Sequence, residues 1–401
     1  MRELVVLRGL PGSGKSTFLK YHNLEKYTLS PDTIRLMVAG TGILLNDKTG
    51  FKESLLNTED KYVWKLFFEM LEKRMEKGLF TVLDATHTKE SYFNDYNKLC
   101  DKYRYRMIII EFDVKPEDAK LRNLMRPSYK IVPDEVIDRM YQQMKNPLPE
   151  KYKKYIVDAK LFTEMKLNPY SIDLNQYEGV HIVGDIHSCF TALKQDLETS
   201  GVLLPDGTIN PNQALIFTGD YIDRGIEPIE TINFLFEIKD LPNVYFLLGN
   251  HEIHIEKYMR NNKDTSCIGY ARETIKTLKT LGEEGSSKLR QLVRKCRTHL
   301  IVNYNNQVLY ITHGGIPEPI KDITQYSANE LINGIGDYVD AQKVDELFNN
   351  NCLSNEFSIH AHRNINCVCD IKSSEHTFNL CDDVEHGGFL RSVSFYKDSQ
   401  E

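Results

Sequence analysis

The amino-acid sequence predicts an α/β protein built as two consecutive domains. Short, almost wholly apolar segments, typical of strands covered on both faces, lie at 4–7, 80–83 and 107–112. A glycine-rich loop follows the first of them, and a second series of apolar segments starts at residue 180. We therefore expect a doubly wound parallel sheet over residues 1–150, a helical linker over 151–177 and a second αβ domain over 178–401.

The individual elements follow from local patterns. In the first domain we expect strands at 4–7, 27–29, 80–83 and 107–112 and helices at 16–21 and 60–77. The longer helix carries apolar residues at helical spacing and stops at Gly78. In the second domain we expect strands at 180–183, 215–217, 245–248, 309–312 and 357–360, with a charged helical insertion near 255–300.

Charge is distributed unevenly along the 401 residues. Residues 1–165 hold 29 Lys and Arg against 24 Asp and Glu, a net charge of +5, whereas the remainder holds 21 against 33, a net charge of −12. The overall charge of −7 argues against a long footprint on duplex nucleic acid but is compatible with binding a single strand end.

Cysteine usage and hydropathy indicate the compartment. Eight cysteines are scattered without a CxxC pair, and only Cys367 and Cys369 lie close together, so we expect reduced thiols rather than a disulfide framework or zinc ribbon. No apolar run approaches the ~18 residues of a membrane span. The apolar segment at 4–7 leaves no room for a signal peptide, and we expect a cytoplasmic protein with no membrane partner.

The glycine-rich loop, residues 9–16, reads Gly-Leu-Pro-Gly-Ser-Gly-Lys-Ser and matches G-x-x-x-x-G-K-[ST]. Such a loop between a strand and a helix surrounds the phosphates of a nucleoside triphosphate with backbone amides, while its lysine contacts the β- and γ-phosphates and its hydroxyl binds Mg²⁺. The predicted nucleotide-binding residues are Gly12, Gly14, Lys15, Ser16 and Thr17.

The glycine-rich loop indicates only a nucleoside triphosphate, and candidate residues for a phosphate acceptor are Asp32 and Arg35, which follow the second strand. A carboxylate at the sheet edge could accept the proton of an attacking hydroxyl, and the arginine could hold an acceptor phosphate. By itself Asp32 is equally compatible with a helix N-cap.

Three polar motifs, Gly-Asp-Ile-His (184–187), Gly-Asp-Tyr-Ile-Asp-Arg-Gly (219–225) and Gly-Asn-His-Glu (249–252), each follow a predicted strand of the second domain. They are typical of a dinuclear phosphoesterase site, which needs hard oxygen and imidazole ligands. The predicted metal ligands are Asp185, His187, Asp220 as the bridge, Asn250, His313 and a late histidine, either His360 or, preferred here, His362. Arg224 is expected to bind phosphate oxygens, and His251, oriented by Asp223, to act on the leaving oxygen.

Two families share these patterns. The glycine loop, Asp32-x-x-Arg35, Asp84-Ala85-Thr86 and the pair Arg122 and Arg126, expected on one face of a lid helix, resemble the 5′-OH polynucleotide kinases. That resemblance implies that Asp32 is the general base, that Arg35 contacts the acceptor phosphate, and that Arg126 and Arg122 contact the transferring phosphoryl group.

The later motifs resemble the calcineurin-like metallophosphoesterases, which implies an αβ-sandwich with two metals. The order of the two domains resembles the bacterial polynucleotide kinase-phosphatases of RNA repair, although Cys381 stands where that family carries an aspartate, unless Asp382 substitutes for it.

The resemblance implies an end-healing enzyme that phosphorylates a 5′-hydroxyl from ATP with Mg²⁺ and removes a 3′ or 2′,3′-cyclic phosphate with two Mn²⁺ or similar ions. Its partners would be single-stranded or nicked RNA or DNA ends and a separate RNA ligase acting in trans, and a homodimer is left open. The alternative is a small-molecule kinase fused to a Ser/Thr protein phosphatase or diadenosine polyphosphate hydrolase. A non-catalytic RNA-binding adaptor is disfavoured by the intact Lys15, Asp32, Asp220 and His251.

Overall fold

The computed structural model describes residues 2–46, 50–260, 271–363 and 374–397. The chain divides into two compact units. The first contains Met1–Asn168 and Asp322–Ser327, and the second contains Pro169–Lys321 and Ala328–Glu401. Part of the predicted helical insertion, residues 261–270, and the pair Cys367 and Cys369 lie outside the described residues.

The first unit is organised around one sheet. Its strands are β1 (Glu3–Gly9), β2 (Thr28–Leu29), β3 (Thr41–Asn46), β4 (Gly50–Leu55), β5 (Thr81–Asp84), β6 (Arg106–Phe112) and β7 (Ile156–Val157). Its helices are α1 (Lys15–Tyr21), α2 (Pro31–Val38), α3 (Asp60–Glu76), α4 (Glu90–Tyr103), α5 (Pro116–Leu124), α6 (Asp134–Met144), α7 (Glu150–Lys153) and α8 (Ala159–Leu167). The sheet order is β2-β5-β1-β6-β7, and every pairing within it is parallel, which confirms the predicted parallel sheet.

The central strand β1 is buried along its whole length, as expected for a strand covered by helices on both faces. Leu4 and Val6 pack with Phe67 and Leu71 of α3 in one continuous core. Residues 151–168, within the predicted linker, contribute β7 and α8 to this unit, since β7 pairs with β6 and Phe162 packs against Phe18. The antiparallel hairpin of β3 and β4 was not predicted.

The second unit contains two sheets. Its strands are β8 (Ile172–Asp173), β9 (Gly179–Val183), β10 (Gln213–Phe217), β11 (Val244–Phe246), β12 (His299–Tyr304), β13 (Gln307–Thr312), β14 (Glu356–His360), β15 (Thr377–Asn379) and β16 (Ser392–Tyr396). Its helices are α9 (Phe190–Thr199), α10 (Pro228–Ile238), α11 (Asn250–Arg260), α12 (Ala271–Lys295), α13 (Ala328–Asn333) and α14 (Ala341–Asn351).

The sheets have the orders β11-β10-β9-β16 and β15-β14-β13-β12-β8. Apolar side chains of both sheets, among them Ile182, Ile216, Leu309 and Ile311, form one shared core, which makes the unit a sandwich. The predicted polar motifs follow the carboxyl ends of β9, β10 and β11, where open sheets bind ligands. Among the described residues, each helix is too short or too polar to serve as a transmembrane span.

Candidate active sites

The glycine-rich loop of the first unit encloses Lys15. The Lys15 ammonium is buried and donates hydrogen bonds to the carbonyl oxygens of Gly9 at 2.8 Å and Leu10 at 2.7 Å. Burial lowers the pKa of Lys15 to about 8, although the nearby Asp84 carboxylate opposes the shift. The lysine is therefore held by the loop's own carbonyl groups, and an incoming phosphate would be a stronger partner than either of them.

Two glycines of this loop adopt backbone conformations that other residues avoid. Gly12 has φ +79° and Gly14, the residue before α1, has φ +101°. A Cβ atom on Gly12 would lie 2.3 Å from the carbonyl oxygen of Ala119 in α5, whereas one on Gly14 would meet open space. Gly12 is thus needed for close packing against α5 as well as for the turn.

A cleft of about 1060 Å³ opens beside the loop. It is lined by all of the residues predicted for the kinase reaction, namely Gly12, Gly14, Lys15, Ser16, Thr17, Asp32, Arg35, Arg122 and Arg126, and also by Asp84. Ser16 and Thr17 are exposed to it. The structure therefore brings the glycine-rich loop and the predicted acceptor-side residues to one cleft.

Asp32 lies in the first turn of α2, where Ser30 and not Asp32 occupies the N-cap position. Its carboxylate accepts a hydrogen bond of 2.6 Å from Arg35, and Arg35 also forms an ion pair with Asp60 of α3. The sequence analysis missed Asp60, because nothing in its local pattern distinguishes it from a helix-starting acid. Arg35 is consequently oriented by two carboxylates.

The two lid arginines do not share a helix face, and that prediction was wrong. Helix α5 ends at Leu124, so Arg126 lies beyond it, because Pro127 disfavours helical conformation at the preceding residue. Arg126 is nevertheless half-buried. Burial lowers its pKa, although the negative charges of Asp32 and Asp84 oppose this shift. Arg122 is exposed on α5.

In the second unit, four histidine side chains converge around the buried Asp220, and three of them are themselves buried. His187 and His251 form one group of candidate metal ligands with it, and His313 and His362 form a second, with the ligand atoms of each group within 4.8 Å of one another. Asp220 Oδ2 lies 3.3 Å from His313 Nε2 and 3.7 Å from His187 Nε2. A carboxylate shared by two imidazole pairs is what a bridging ligand requires.

The remaining predicted ligands surround the same group. Asn250 Oδ1 lies 3.1 Å from His313 Nε2, and Asp185 Oδ1 lies 3.6 Å from His313 Nδ1. His362 donates its backbone amide to Asp185 at 3.0 Å. His360, the alternative late histidine, instead pairs with Asp345 at 2.9 Å, so the structure brings His362 and not His360 into the cluster.

His251 is held on its far side by a chain of hydrogen bonds. Its Nδ1 lies 2.7 Å from Asp223 Oδ2, and the same oxygen accepts a 2.7 Å bond from the hydroxyl of Thr274 in α12. Burial opposes the charging of His251, but Asp220 and Asp223 raise its pKa to about 9. Thr274 was missed, because it belongs to the helical insertion and lies 51 residues from Asp223.

Glu252, the last residue of the third motif, also has a structural role that the sequence analysis did not assign. Its buried carboxylate accepts the backbone amides of Asp220, Tyr221 and Gly249 at 2.9 to 3.0 Å. Burial, with a further contribution from the charge of Asp220, raises the pKa of Glu252 to about 7. These bonds hold the loop that presents Asp220, and the Gly-Asn-His-Glu spacing was the available signal.

Cys381 and Asp382, near the C-terminal end of the described chain, have different surroundings. Asp382 accepts a 2.8 Å hydrogen bond from Arg391, whereas burial and the neighbouring Asp185 carboxylate raise the pKa of the Cys381 thiol. Asp382 therefore does not take the position of the family's aspartate. Further along, the side chain of Glu385 is buried and accepts a 2.8 Å hydrogen bond from Arg224.

The donor set fits divalent metal ions. Asp185 Oδ1 is buried and has no hydrogen-bond partner among the described residues, although buried carboxylate oxygens are normally satisfied. Carboxylate, amide oxygen and imidazole ligands suit Mn²⁺, Zn²⁺ or Mg²⁺ rather than soft metals. Two divalent ions held by this cluster would give Asp185 Oδ1 a partner and would suit the ligand types present.

Comparison with known families agrees with this division. Residues 4–147 match the model of an AAA domain, and residues 180–364 match that of the calcineurin-like phosphoesterases. The chain is a P-loop domain fused to a calcineurin-like metallophosphoesterase domain. We refer to these below as the P-loop domain and the phosphoesterase domain.

Curated relatives match parts of the chain. It is 27% identical over 143 residues to an asymmetrical bis(5′-nucleosyl)-tetraphosphatase of Oceanobacillus iheyensis, covering 35% of this chain and 57% of that protein. It is 29% identical over 174 residues to a symmetrical bis(5′-nucleosyl)-tetraphosphatase of Marinomonas, covering 42% and 54%. A third relative is serine/threonine-protein phosphatase 7 of Arabidopsis thaliana, 31% identical over 146 residues and covering 36% and 31%. The chain spans little more than half the length of the two tetraphosphatases.

Proposed function

We propose that this chain is a bifunctional phosphoryl-transfer enzyme. Its P-loop domain transfers the γ-phosphate of ATP to a hydroxyl group, and its phosphoesterase domain hydrolyses phosphoesters. The observation that carries the proposal is that each domain assembles its own phosphate centre: Lys15, Asp32 and Arg126 line one cleft, and Asp220 is shared by two pairs of histidines.

In the P-loop domain, Asp32 accepts the proton of the attacking hydroxyl, and its bond to Arg35 keeps the carboxylate oriented. Lys15 and Arg126 place positive charge on the phosphoryl oxygens, where negative charge develops. Ser16, exposed at the start of α1, would supply the hydroxyl ligand for the Mg²⁺ that accompanies ATP.

In the phosphoesterase domain, Asp185, His187, Asp220, Asn250, His313 and His362 would hold two divalent ions, which supply Lewis acidity and a nucleophilic hydroxide at neutral pH. Arg224 binds phosphoryl oxygens beside His187, whose Nε2 lies 3.2 Å from the guanidinium. His251 donates a proton to the leaving oxygen, and Asp223 keeps its ring aligned.

Two substrate assignments are supported by different observations. The Asp32–Arg35 pair beside the P-loop and the order of the two domains support the healing of RNA or DNA ends, with 5′-hydroxyl phosphorylation and removal of a 3′ or 2′,3′-cyclic phosphate. The relatives favour the second assignment for the phosphoesterase domain, because those reported above carry the names of dinucleoside tetraphosphatases and a Ser/Thr phosphatase. A small-molecule kinase would then be its fusion partner.

A substrate panel separates the two assignments. The full chain is given γ-labelled ATP with Mg²⁺ and 5′-hydroxyl oligoribonucleotides, oligodeoxyribonucleotides, nucleosides or sugars. In parallel, with Mn²⁺, it is given 3′-phosphate ends, 2′,3′-cyclic ends, diadenosine tetraphosphate, a phosphopeptide and an aryl phosphate.

Label on oligonucleotides together with turnover of 3′ or cyclic ends supports end healing. Label on small molecules together with turnover of diadenosine tetraphosphate or phosphopeptide supports the second assignment. Failure to turn over ATP and the aryl phosphate under all conditions overturns the bifunctional proposal itself.

A further inference from the structure

The arginine expected to bind phosphate in the phosphoesterase domain lies between two carboxylates. Arg224 Nη1 donates a hydrogen bond of 2.8 Å to Glu385 Oε1, and Arg224 Nε lies 3.8 Å from Glu273 Oε2. The same Nη1 is 3.2 Å from His187 Nε2, so the guanidinium is beside the metal-ligand cluster. A phosphoryl group bound there would meet the charges of both the arginine and its partners.

The two carboxylates differ in their exposure to solvent. The Glu385 side chain is 1% exposed and that of Glu273 is 49% exposed. Solvent screens an exposed charge, whereas an enclosed carboxylate acts at nearly full strength on its neighbours. Glu385 is therefore the partner that determines the electrostatic character of Arg224.

Glu385 is carried by a short turn of the backbone. It lies in the short turn Val384–His386, bounded by two residues in the left-handed region, Asp383 with φ +46° and Gly387 with φ +96°. The following residue, His386, is exposed, and its Nε2 lies 3.8 Å from Glu385 Oε1. The buried Glu385 carboxylate is therefore already paired with Arg224 in the structure without substrate.

We propose that Glu385 is a specificity-determining residue that directs the phosphoesterase centre toward phosphoryl groups carrying one negative charge. The inference rests on the proposed phosphoesterase function. An unpaired arginine would attract a dianionic monoester more strongly than a monoanionic diester, because Coulomb attraction scales with charge. A buried carboxylate cancels much of that charge and repels the second negative charge. The favoured substrates are phosphodiesters, cyclic phosphates and the internal phosphates of dinucleoside polyphosphates.

The test compares 4-nitrophenyl phosphate, a dianion at pH 8, with bis(4-nitrophenyl) phosphate, a monoanion, using the full chain with Mn²⁺. Glu385→Gln keeps an oxygen that accepts the Arg224 bond but removes the charge. We expect the ratio of kcat/KM for monoester over diester to rise about tenfold. The matched control Glu273→Gln removes a charge near the same guanidinium but in solvent, and should change the ratio by less than about twofold.

An unchanged ratio in Glu385→Gln, with both activities retained or reduced in parallel, overturns the inference and leaves Glu385 as a structural residue. If Glu385→Gln does not fold, Glu385→Asp withdraws the carboxylate from Arg224, and the ratio must still rise by more than about twofold. Loss of both activities in the wild-type chain would instead refute the proposed function, so the two failures are distinguishable.

Discussion

The two candidate active sites of this chain differ in how far they are closed to solvent. In the P-loop domain Ser16, Thr17 and Arg122 are exposed in an open cleft. In the phosphoesterase domain His187, Asp220, His251 and His313 are each at most 3% exposed. A nucleotide arrives with its own cation and can be met by an open loop, whereas two ions on protein ligands need a cluster assembled in advance.

The backbone of the two centres differs in a parallel way. The glycine-rich loop places its positive φ angles on glycines, Gly12 and Gly14, so that the amides can approach phosphate. The phosphoesterase domain instead places predicted site residues in the left-handed region, namely His187, Asp220, Asp223, Arg224 and His362. Such conformations cost about 1–3 kcal/mol each and persist only where the surrounding structure holds them.

The largest effect should come from breaking each centre separately. Lys15→Ala should reduce ATP-dependent phosphorylation about 10³-fold and spare phosphoesterase activity. The substitution removes the positive charge that faces the phosphoryl oxygens in the cleft of the P-loop domain and leaves the other domain unchanged. Asp220→Ala should do the converse by about 10³-fold or more, since it removes the shared ligand. Both activities are assayed on each variant. A parallel loss of both in either variant would contradict independent centres.

The packing requirement of the open centre can be tested with a matched pair of glycines. Gly12→Ala should lower the free energy of unfolding of the P-loop domain by about 3 kcal/mol, combining left-handed strain with the clash against Ala119. Gly40→Ala, at φ +71° in open space, should cost only about 1 kcal/mol. The fluorescence of Trp64, the single tryptophan, reports urea unfolding of this domain. Equal losses would show that the contact with α5 is unimportant.

Buried histidines of the two domains should respond oppositely to pH. Burial lowers the pKa of His87 in the P-loop domain to about 4, and its nitrogens lie 2.6 Å from the Leu7 carbonyl and 3.0 Å from the Tyr96 hydroxyl. In the phosphoesterase domain, against burial, the charge of Asp220 raises the pKa of His313 to about 9.

The sign for His87 follows from linkage. Its unfolded pKa is near 6.5, so below that pH the unfolded state binds a proton that the folded state excludes. The P-loop domain should therefore lose about 2 kcal/mol of stability between pH 7 and pH 5 through this group, monitored by Trp64 fluorescence. The His87→Gln variant should lack this contribution, so its stability should depend less on pH than that of the wild-type chain over the same range. An unchanged pH slope in that variant would assign the loss to other groups.

The smallest effect tests how the closed centre is supported from outside. Thr274→Val removes the hydroxyl that holds Asp223, and should lower phosphoesterase kcat about tenfold with little change in KM. Thr280→Val in the same helix is the control, because the Thr280 hydroxyl donates its hydrogen bond to the Lys276 carbonyl of its own helix. If the two variants behave alike, α12 does not position His251.

Short-range sequence patterns were sufficient to predict much of the fold and many of the candidate site residues. The strand lengths, the glycine-rich loop and the motifs that follow β9, β10 and β11 are local, so the parallel sheet and the placement of polar residues at strand ends could be predicted. The assignment of Arg122 and Arg126 to one helix face was wrong because it assumed that the helix continues to Arg126, whereas α5 ends at Leu124. Pro127 was the visible signal.

The sequence alone therefore determined which chemical groups are present and near which strand ends they lie, since both depend on spacing along the chain. Tertiary structure alone decided which groups meet: Asp60 with Arg35, Thr274 with Asp223, Glu385 with Arg224, and His362 rather than His360 with Asp220. These contacts join residues up to 161 positions apart. They depend on how whole elements pack, and no local propensity or spacing encodes that packing.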